Sequence, residues 1–268
     1  MKKFEGVLFC TDLDGTLYKT DKTVSEENKK AIEYFKNNGG YFTFITGRPP
    51  VISTDAYSII KPNAPFGCNN GGGVYDGEKK EYLWSQGLLD ESRILIDFIE
   101  EKMADMGIQI NTRSGIYFHK DNTAMEYFRK VTKTARIIKR HEQISEEILK
   151  IIFATTDQTQ MERLIQLLRF HPLADKFDFI RSERILYEIV PKGINKGTAL
   201  NKLAELLGAK TTVAVGDYDN DIGMLKAADI SFAVENASVG AKAAAKKITV
   251  SNNDHAIAAI VRELEKQL

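Results

Sequence analysis

Cysteine is scarce: Cys10 and Cys68 are the only two in 268 residues. Both sit in apolar stretches near predicted strand ends, which argues against a disulfide framework and predicts reduced, partly buried thiols. Net charge is absent too, since 37 Lys and Arg balance 37 Asp and Glu. A neutral chain offers no electrostatic case for nucleic acid or an anionic membrane surface as a partner. No apolar run approaches the ~20 residues of a membrane span. The opening MKKFEGVLFC turns polar too early for a signal peptide, so a cytoplasmic location is expected. His119, His141 and His171 are scattered without the spacing of metal ligands. There is no internal repeat and no low-complexity segment.

What remains is an ordinary globular composition, 43% hydrophobic and 28% charged, and enough length for one large domain or two modest ones. Residues 6–10 form an apolar run without alternation, which suits a strand covered on both faces. A helix is predicted over 25–37, with Thr23 and Glu26 as a capping box and Asn38-Gly39-Gly40 as its stop. A strand (41–46) and a helix within 51–60, ended by Pro62, follow. Strand, helix, strand, helix is the signature of a doubly wound parallel sheet. Asp76-Gly77 predicts a hairpin, and the glycine triplet at 71–73, lacking the phosphate-loop pattern, predicts a turn.

Residues 84–190 read differently. A helix (91–106) with apolar positions at Ile94, Leu95, Phe98, Ile99 and Met103 is followed by short strands within 108–119, then a helix (122–133) and a strand (148–155). A helix (159–170) and two closely spaced, antiparallel strands (177–181, 185–190) complete the stretch. After Pro191 the first pattern returns, with helices at 197–207, 221–228 and 254–267 and strands at 211–216 and 230–234. The expected architecture is therefore α/β: a Rossmann-like parallel-sheet core made of 1–83 and 191–268, with an α+β domain inserted at 84–190.

The chemistry lies at strand and helix ends, where open α/β sheets bind ligands. The first apolar run ends in Thr11-Asp12-Leu13-Asp14-Gly15-Thr16, and the second in Thr46-Gly47-Arg48. Lys196 heads a helix, and the run TTVAV ends in Gly216-Asp217-Tyr218-Asp219-Asn220-Asp221. Carboxylates at 12, 14, 217 and 221 are expected to crowd together, which requires a cation, and oxygen ligands suit Mg²⁺. Asp12 is expected to attack phosphorus, and Asp14 to protonate the leaving alkoxide and later deprotonate water. Thr46 and nearby backbone N–H groups are placed to hold phosphoryl oxygens, and Lys196 to supply positive charge. Asp217 is the direct metal ligand, with Asp221 binding directly or through water. An EF-hand reading of 217–228 fails, because Ile222 stands where glycine is needed and Ala228 where glutamate is needed. Taken singly, each motif has a bland reading: DxDG as a turn, Thr46 as a strand-end hydroxyl, Lys196 as a solvated helix residue. Their joint occurrence in this order is the signal. Arg48 and Asn220 are second-tier substrate contacts, with a surface ion pair as the rival reading of Arg48. Asn70 and Gly71 are read as a turn, and Tyr117, Phe118, Tyr127 and Phe128 as core.

The sequence resembles the haloacid-dehalogenase-like hydrolases, in particular the Cof-type phosphatases with a large α/β cap. DLDGT at 12–16, Thr46 in ITGRP, Lys196 in NKGTAL and GDYDND at 216–221 look like the four motifs of that family, and the insertion falls where that subgroup places its cap. The resemblance spans essentially the whole chain. It implies a Rossmann-like core, Mg²⁺ as cofactor, an aspartyl-phosphate intermediate, and a metal contact from the backbone carbonyl of Asp14. An acid at 14 also fits a poor alkoxide leaving group, hence a phosphate monoester. The expected partner is a small phosphorylated metabolite such as a sugar phosphate, with no role for nucleic acid or membrane. A phosphomutase and a non-catalytic metabolite-binding protein on the same scaffold stay open as alternatives.

Overall fold

A computed structural model describes residues 2–267. In chain order the elements are β1 (Val7–Thr11), α1 (Glu26–Asn37), β2 (Tyr41–Phe44), α2 (Thr54–Ile60), β3 (Phe66–Cys68), β4 (Gly73–Asp76), β5 (Glu81–Ser85), α3 (Ser92–Lys102), β6 (Gly107–Thr112), β7 (Ile116–Lys120), α4 (Thr123–Thr132), β8 (Ile148–Ala154), α5 (Gln158–Arg169), β9 (Phe177–Glu183), β10 (Leu186–Pro191), α6 (Lys196–Leu207), β11 (Thr211–Gly216), α7 (Ile222–Ala227), β12 (Ile230–Ala233), α8 (Val239–Ala244), β13 (Lys247–Ile248) and α9 (Ala256–Gln267). They fall into two compact units, one built from residues up to 84 and from 195 onward, the other from 85–194.

The first unit is organised by a parallel sheet of order β13-β12-β11-β1-β2. Its interior strand β1 explains the unbroken apolar run. Val7 and Phe9 join one core with Phe35 of α1 and Ile260 of α9, while Leu8 and Cys10 join the other with Leu200 of α6 and Met224 of α7. Each of these four positions is covered on its own face, which favours an apolar side chain at every one. Phe4, Phe9, Phe35 and Phe42 pack edge-on and tilted, with centroids 4.6–6.5 Å apart. Each such buried ring contributes about 1.5–3 kcal/mol. Beside this sheet, β3-β4-β5 form a small one, joined to β2 by a parallel bridge from Ile45 to Gly67.

Helix α1 is capped by Ser25, whose hydroxyl accepts the Asn28 N–H at 3.2 Å. This replaces the predicted Thr23–Glu26 box, because Thr23 is held two residues back by the Asp21 carboxylate at 2.6 Å. The elements α8 and β13, six and two residues long, were not anticipated.

The second unit carries an antiparallel sheet of order β7-β6-β8-β10-β9. Its apolar face (Ile108, Ile110, Ile151, Phe153, Ile189) packs with Leu95, Ile96 and Ile99 of α3 and Leu164 and Leu168 of α5. Ile94 is half exposed and Ile96 takes its place, so the apolar stripe of α3 runs one residue differently from the predicted one. Strand alternation sets Gln109, Asn111, Lys150 and Glu188 on the other face, where Lys150 and Glu188 form a buried ion pair at 3.0 Å. Phe118 is core as expected, but Tyr127 is exposed on α4. No helix among the described residues is long and apolar enough to cross a membrane.

Candidate active site

Four chain segments of the first unit converge at the carboxyl ends of β1, β2 and β11. Strand β1 extends one bond past its end, with the Asp12 N–H donating to the Val215 carbonyl at 3.0 Å. The chain then turns at Gly15, whose φ of +80° few other residues adopt. Space adds a second constraint there, since a Cβ on Gly15 would lie 2.4 Å from Asp217 Oδ2. The turn brings Thr16 Oγ1 to Asp217 Oδ1 at 2.9 Å.

The second segment leaves β2 with the Thr46 N–H donating to the Gly67 carbonyl at 3.0 Å. Thr46 is buried, and its hydroxyl oxygen accepts the Arg48 N–H at 3.2 Å. The turn at 69–71 closes over this segment: the Asn70 N–H reaches the Thr46 carbonyl and the Asn69 N–H the Arg48 carbonyl, each at 3.1 Å. Asn70 Oδ1 accepts from Asn220 Nδ2 at 3.2 Å, which ties the second segment to the fourth.

Lys196 is the first residue of α6, capped by Asn195, and is 1% exposed. Its Nζ donates to Asp12 Oδ1 and to Asp221 Oδ1, both at 2.6 Å. Asp221 is completely buried, and its other oxygen accepts the N–H groups of Asp217 and Tyr218 at 2.9 and 3.1 Å. Asp221 therefore shapes the loop that presents Asp217. The Asp217 carbonyl accepts the Ser238 N–H at 2.8 Å, and Asn236 Nδ2 donates to the Gly15 carbonyl at 2.8 Å.

Carboxylate oxygens of Asp12, Asp217 and Asp221 lie within 4.8 Å of one another. The carboxyl group of Asp14 does not join them, contrary to the crowding expected of all four. Its Oδ2 accepts from Arg48 Nη2 at 2.5 Å and its Oδ1 from Lys22 Nζ at 3.0 Å. In continuing strand the two acids would share a face, but the chain turns at Leu13, whose side chain is buried, and the turn sends Asp14 away from Asp12. Arg48 thus makes an ion pair, part-buried within the site, with an acid of the first motif as its partner.

Burial pushes the Asp12 carboxyl well above the usual range; Lys196 opposes the rise, and Asp221 and Asp217 add to it. Asp217 is pushed up to about 6, by burial first and then by Asp221. Lys196 is raised: burial works against its charge, but Asp12 and Asp221 outweigh burial and keep the ammonium charged. Asp14 is lowered, because Arg48 and Lys22 overcome its burial. The result is a cluster of hard oxygen donors with more negative charge than one lysine balances, and that donor set fits a divalent cation such as Mg²⁺.

Sequence reading passed over Thr16, Lys22 and Asn236. Thr16 was visible inside DLDGT, but Lys22 and Asn236 reach the site through turns that no spacing reveals. In the second unit, His119 and His141 stack at 5.2 Å between ring centroids. The His141 N–H donates to His119 Nδ1, so His119 carries its proton on Nε2, toward Glu100. Asp97, His141 and Glu142 also come together closely enough for an ion. Nδ1 of His141 is buried without a partner, however, whereas a metal-bound histidine usually donates its second N–H.

Gly71 joins the turn at 69–71 to the Lys196 helix. Its φ is +96°, and a Cβ there would lie 1.9 Å from the Asn195 carbonyl oxygen. Gly71→Ala is expected to cost at least ~1–3 kcal/mol in urea unfolding and to displace the cap that sets Lys196. An unchanged midpoint would contradict this.

The family model for haloacid dehalogenase-like hydrolase matches residues 9–261. The 5-amino-6-(5-phospho-D-ribitylamino)uracil phosphatase YitU of Bacillus subtilis is 27% identical over 263 residues, covering 96% of each chain. A second B. subtilis phosphatase of that name, YcsE, is 27% identical over 257 residues, covering 95% of this chain and 94% of its own. Among solved structures, TM0651 from Thermotoga maritima superposes with a TM-score of 0.82 at 25% identity, covering 96% of each chain. A haloacid dehalogenase-like hydrolase from Bacteroides thetaiotaomicron shares the fold with a TM-score of 0.84 at 24% identity, over 97% of this chain and 99% of its own. The chain belongs to the haloacid dehalogenase-like hydrolases, and the two named B. subtilis phosphatases among its relatives place it with the phosphoric monoester hydrolases of that family.

Proposed function

We propose that this phosphoric monoester hydrolase is a Mg²⁺-dependent phosphatase of small phosphorylated metabolites, sugar phosphates or similar monoesters, working through an aspartyl-phosphate on Asp12. The observation that carries the proposal is the buried Lys196 bridging Asp12 and Asp221 at 2.6 Å beside Asp217. A lysine in that place fixes one oxygen of Asp12 and leaves Oδ2 to attack.

In the first step Asp12 Oδ2 bonds to phosphorus, and the bond from phosphorus to the ester oxygen breaks. Asp14, which is ionised while Arg48 and Lys22 hold it, must first leave those partners and take up a proton from solvent, and it then gives that proton to the departing oxygen. In the second step water attacks the phosphorus, Asp14 takes a proton from that water, and the Asp12 carboxylate leaves. The Thr46 hydroxyl and the Gly47 N–H hold phosphoryl oxygens, with Lys196 as the fixed charge. Arg48 and Asn220 border the group being transferred. Asp12, Asp217 and Asp221, with the Asp14 carbonyl, would hold Mg²⁺, which when bound neutralises the carboxylates and shields the phosphate charge. The inserted segment 84–190 is proposed as the cap that selects the leaving group. A small-molecule substrate, a cytoplasmic location and no nucleic acid or membrane partner complete the proposal, supported by the balance of 37 basic and 37 acidic residues.

The test is phosphate release from a panel of phosphorylated metabolites with and without Mg²⁺. Release that requires the ion supports the proposal. No release from a folded protein, or release indifferent to chelation, overturns it, and activation by a bisphosphate without net release would indicate a mutase.

Stability carries a second signature of the cation. The Asp217 carboxyl titrates at about 6 in the folded chain against an ordinary 3.8. Between those values the folded state retains a proton that the unfolded chain has lost, so this group's contribution to metal-free stability falls as pH rises from about 4 to about 6. Mg²⁺ is therefore expected to raise Tm by several degrees at about pH 7.5 and by much less at about pH 5, where it must displace a proton. Equal shifts at the two pH values would contradict the assignment of Asp217.

A further inference from the structure

We infer that Lys22 and Arg48 form an anion site on the leaving-group side of the active site, selecting monoesters whose alcohol portion carries a second anionic group, a carboxylate or a phosphate. This rests on the phosphatase reading above. Asp14, the acid that serves the leaving oxygen, has both carboxylate oxygens engaged, one by Arg48 Nη2 at 2.5 Å and one by Lys22 Nζ at 3.0 Å. There are two cations for one carboxylate. When Asp14 turns to the leaving oxygen it gives up these partners, and two neighbouring positive charges are left without an acceptor. A neutral alcohol cannot replace it. An anion on the alcohol portion can, and it is then held at the point where Asp14 works.

Access supports this use. The side chains of Arg48 and Lys22 are 34% and 71% exposed, whereas that of Lys196, which serves the reacting phosphoryl group, is 1% exposed. Lys22 is also brought to Asp14 by a tethered turn. The Lys22 N–H donates to the Lys19 carbonyl and the Lys19 N–H to the Thr23 carbonyl, both at 2.9 Å. Asn252 Nδ2 donates to the Tyr18 carbonyl at 2.9 Å, and Asn253 bonds Thr20 twice, at 3.1 and 3.0 Å. The backbone under the lysine is thus pinned, while its side chain reaches into solvent.

The experiment compares kcat/KM for sorbitol 6-phosphate and 6-phosphogluconate, which differ by one terminal carboxylate, and for fructose 6-phosphate and fructose 1,6-bisphosphate, which differ by one phosphate. The wild-type enzyme is expected to favour the anionic member of at least one pair by about tenfold or more, and the pair that shows it identifies the anion. Lys22→Gln and Arg48→Gln are each expected to lower that ratio by about tenfold, and about 0.4 M salt is expected to narrow it in the wild type. Equal turnover within both pairs overturns the inference. So does a Lys22→Gln variant that loses the same factor on both members, since Lys22 would then only hold Asp14. If none of the four releases phosphate while another member of the metabolite panel does, the inference is overturned, and if no member of the whole panel does, it is the phosphatase reading that fails.

Discussion

Asp12→Asn is expected to fold normally and to lose at least ~10⁴-fold in kcat, because the neutral amide is a far weaker nucleophile than the carboxylate and everything else in the site depends on the bond to phosphorus. The substitution keeps the shape of the side chain. Lys196 Nζ donates to Oδ1 at 2.6 Å in the native chain, and an amide oxygen accepts that hydrogen bond as well. It also removes one of three crowded acids, the one that burial already pushes toward its neutral form. Thermal stability without Mg²⁺ is accordingly expected to stay level or rise while activity disappears, as is common where a site stores unfavourable charge. Phosphate release and a melting curve on the same preparation check both halves. Turnover within about tenfold of wild type would remove Asp12 as nucleophile.

Lys196→Met is expected to damage both fold and chemistry. Lys196 and Asp221 are 1% and 0% exposed, so the methionine leaves two carboxylates buried without their cation. Breaking a buried pair from one side costs about 3–5 kcal/mol. Protonation of Asp12 offsets part of that, but a protonated Asp12 is no nucleophile, so each route to relief lowers the rate. A loss of at least ~10³-fold in kcat/KM is expected, together with a lower urea midpoint that Mg²⁺ restores in part. Lys196→Arg is expected to rescue poorly, because a planar guanidinium is larger and differently shaped than the ammonium that both carboxylates enclose. A variant with native stability and native turnover would show that the bridge is incidental.

These outcomes concern residues that were legible in the sequence, and the reason is physical. Asp12, Thr46 and Asp217 each follow an apolar run that only a strand covered on both faces can tolerate, and Lys196 opens a helix with its own cap, so local signals located all four. The family resemblance supplied their order. Less was legible where long-range contacts decide. The Asp14 carboxyl turns to Arg48 and Lys22, and no periodicity shows that Lys22 comes back to it. Ser25 rather than Thr23 caps α1 because Asp21 claims the threonine. The segment around KAAAKK hides α8 and β13, which are too short to carry a pattern. Ile94 and Ile96 compete for the same stripe of α3, and the strands beneath choose Ile96.

The register of the central sheet has a consequence for how the chain is made. Val7 of β1 pairs with Thr211 of β11, so the middle of the sheet joins segments from opposite ends of the sequence. On the ribosome, β1 and β2 emerge early, but the other side of β1 keeps its hydrogen-bonding edge bare until residue 211 is out. By then residues 85–194, which form a compact unit of their own, have already been synthesised. At ~5–20 residues per second that interval lasts on the order of ten seconds or more. An open, wholly apolar edge is a hazard for pairing with a neighbouring nascent chain. Asp12 and Asp217 meet only when that edge closes, so the chain gains its nucleophile, its counter-charge and its protection from aggregation in the same late event.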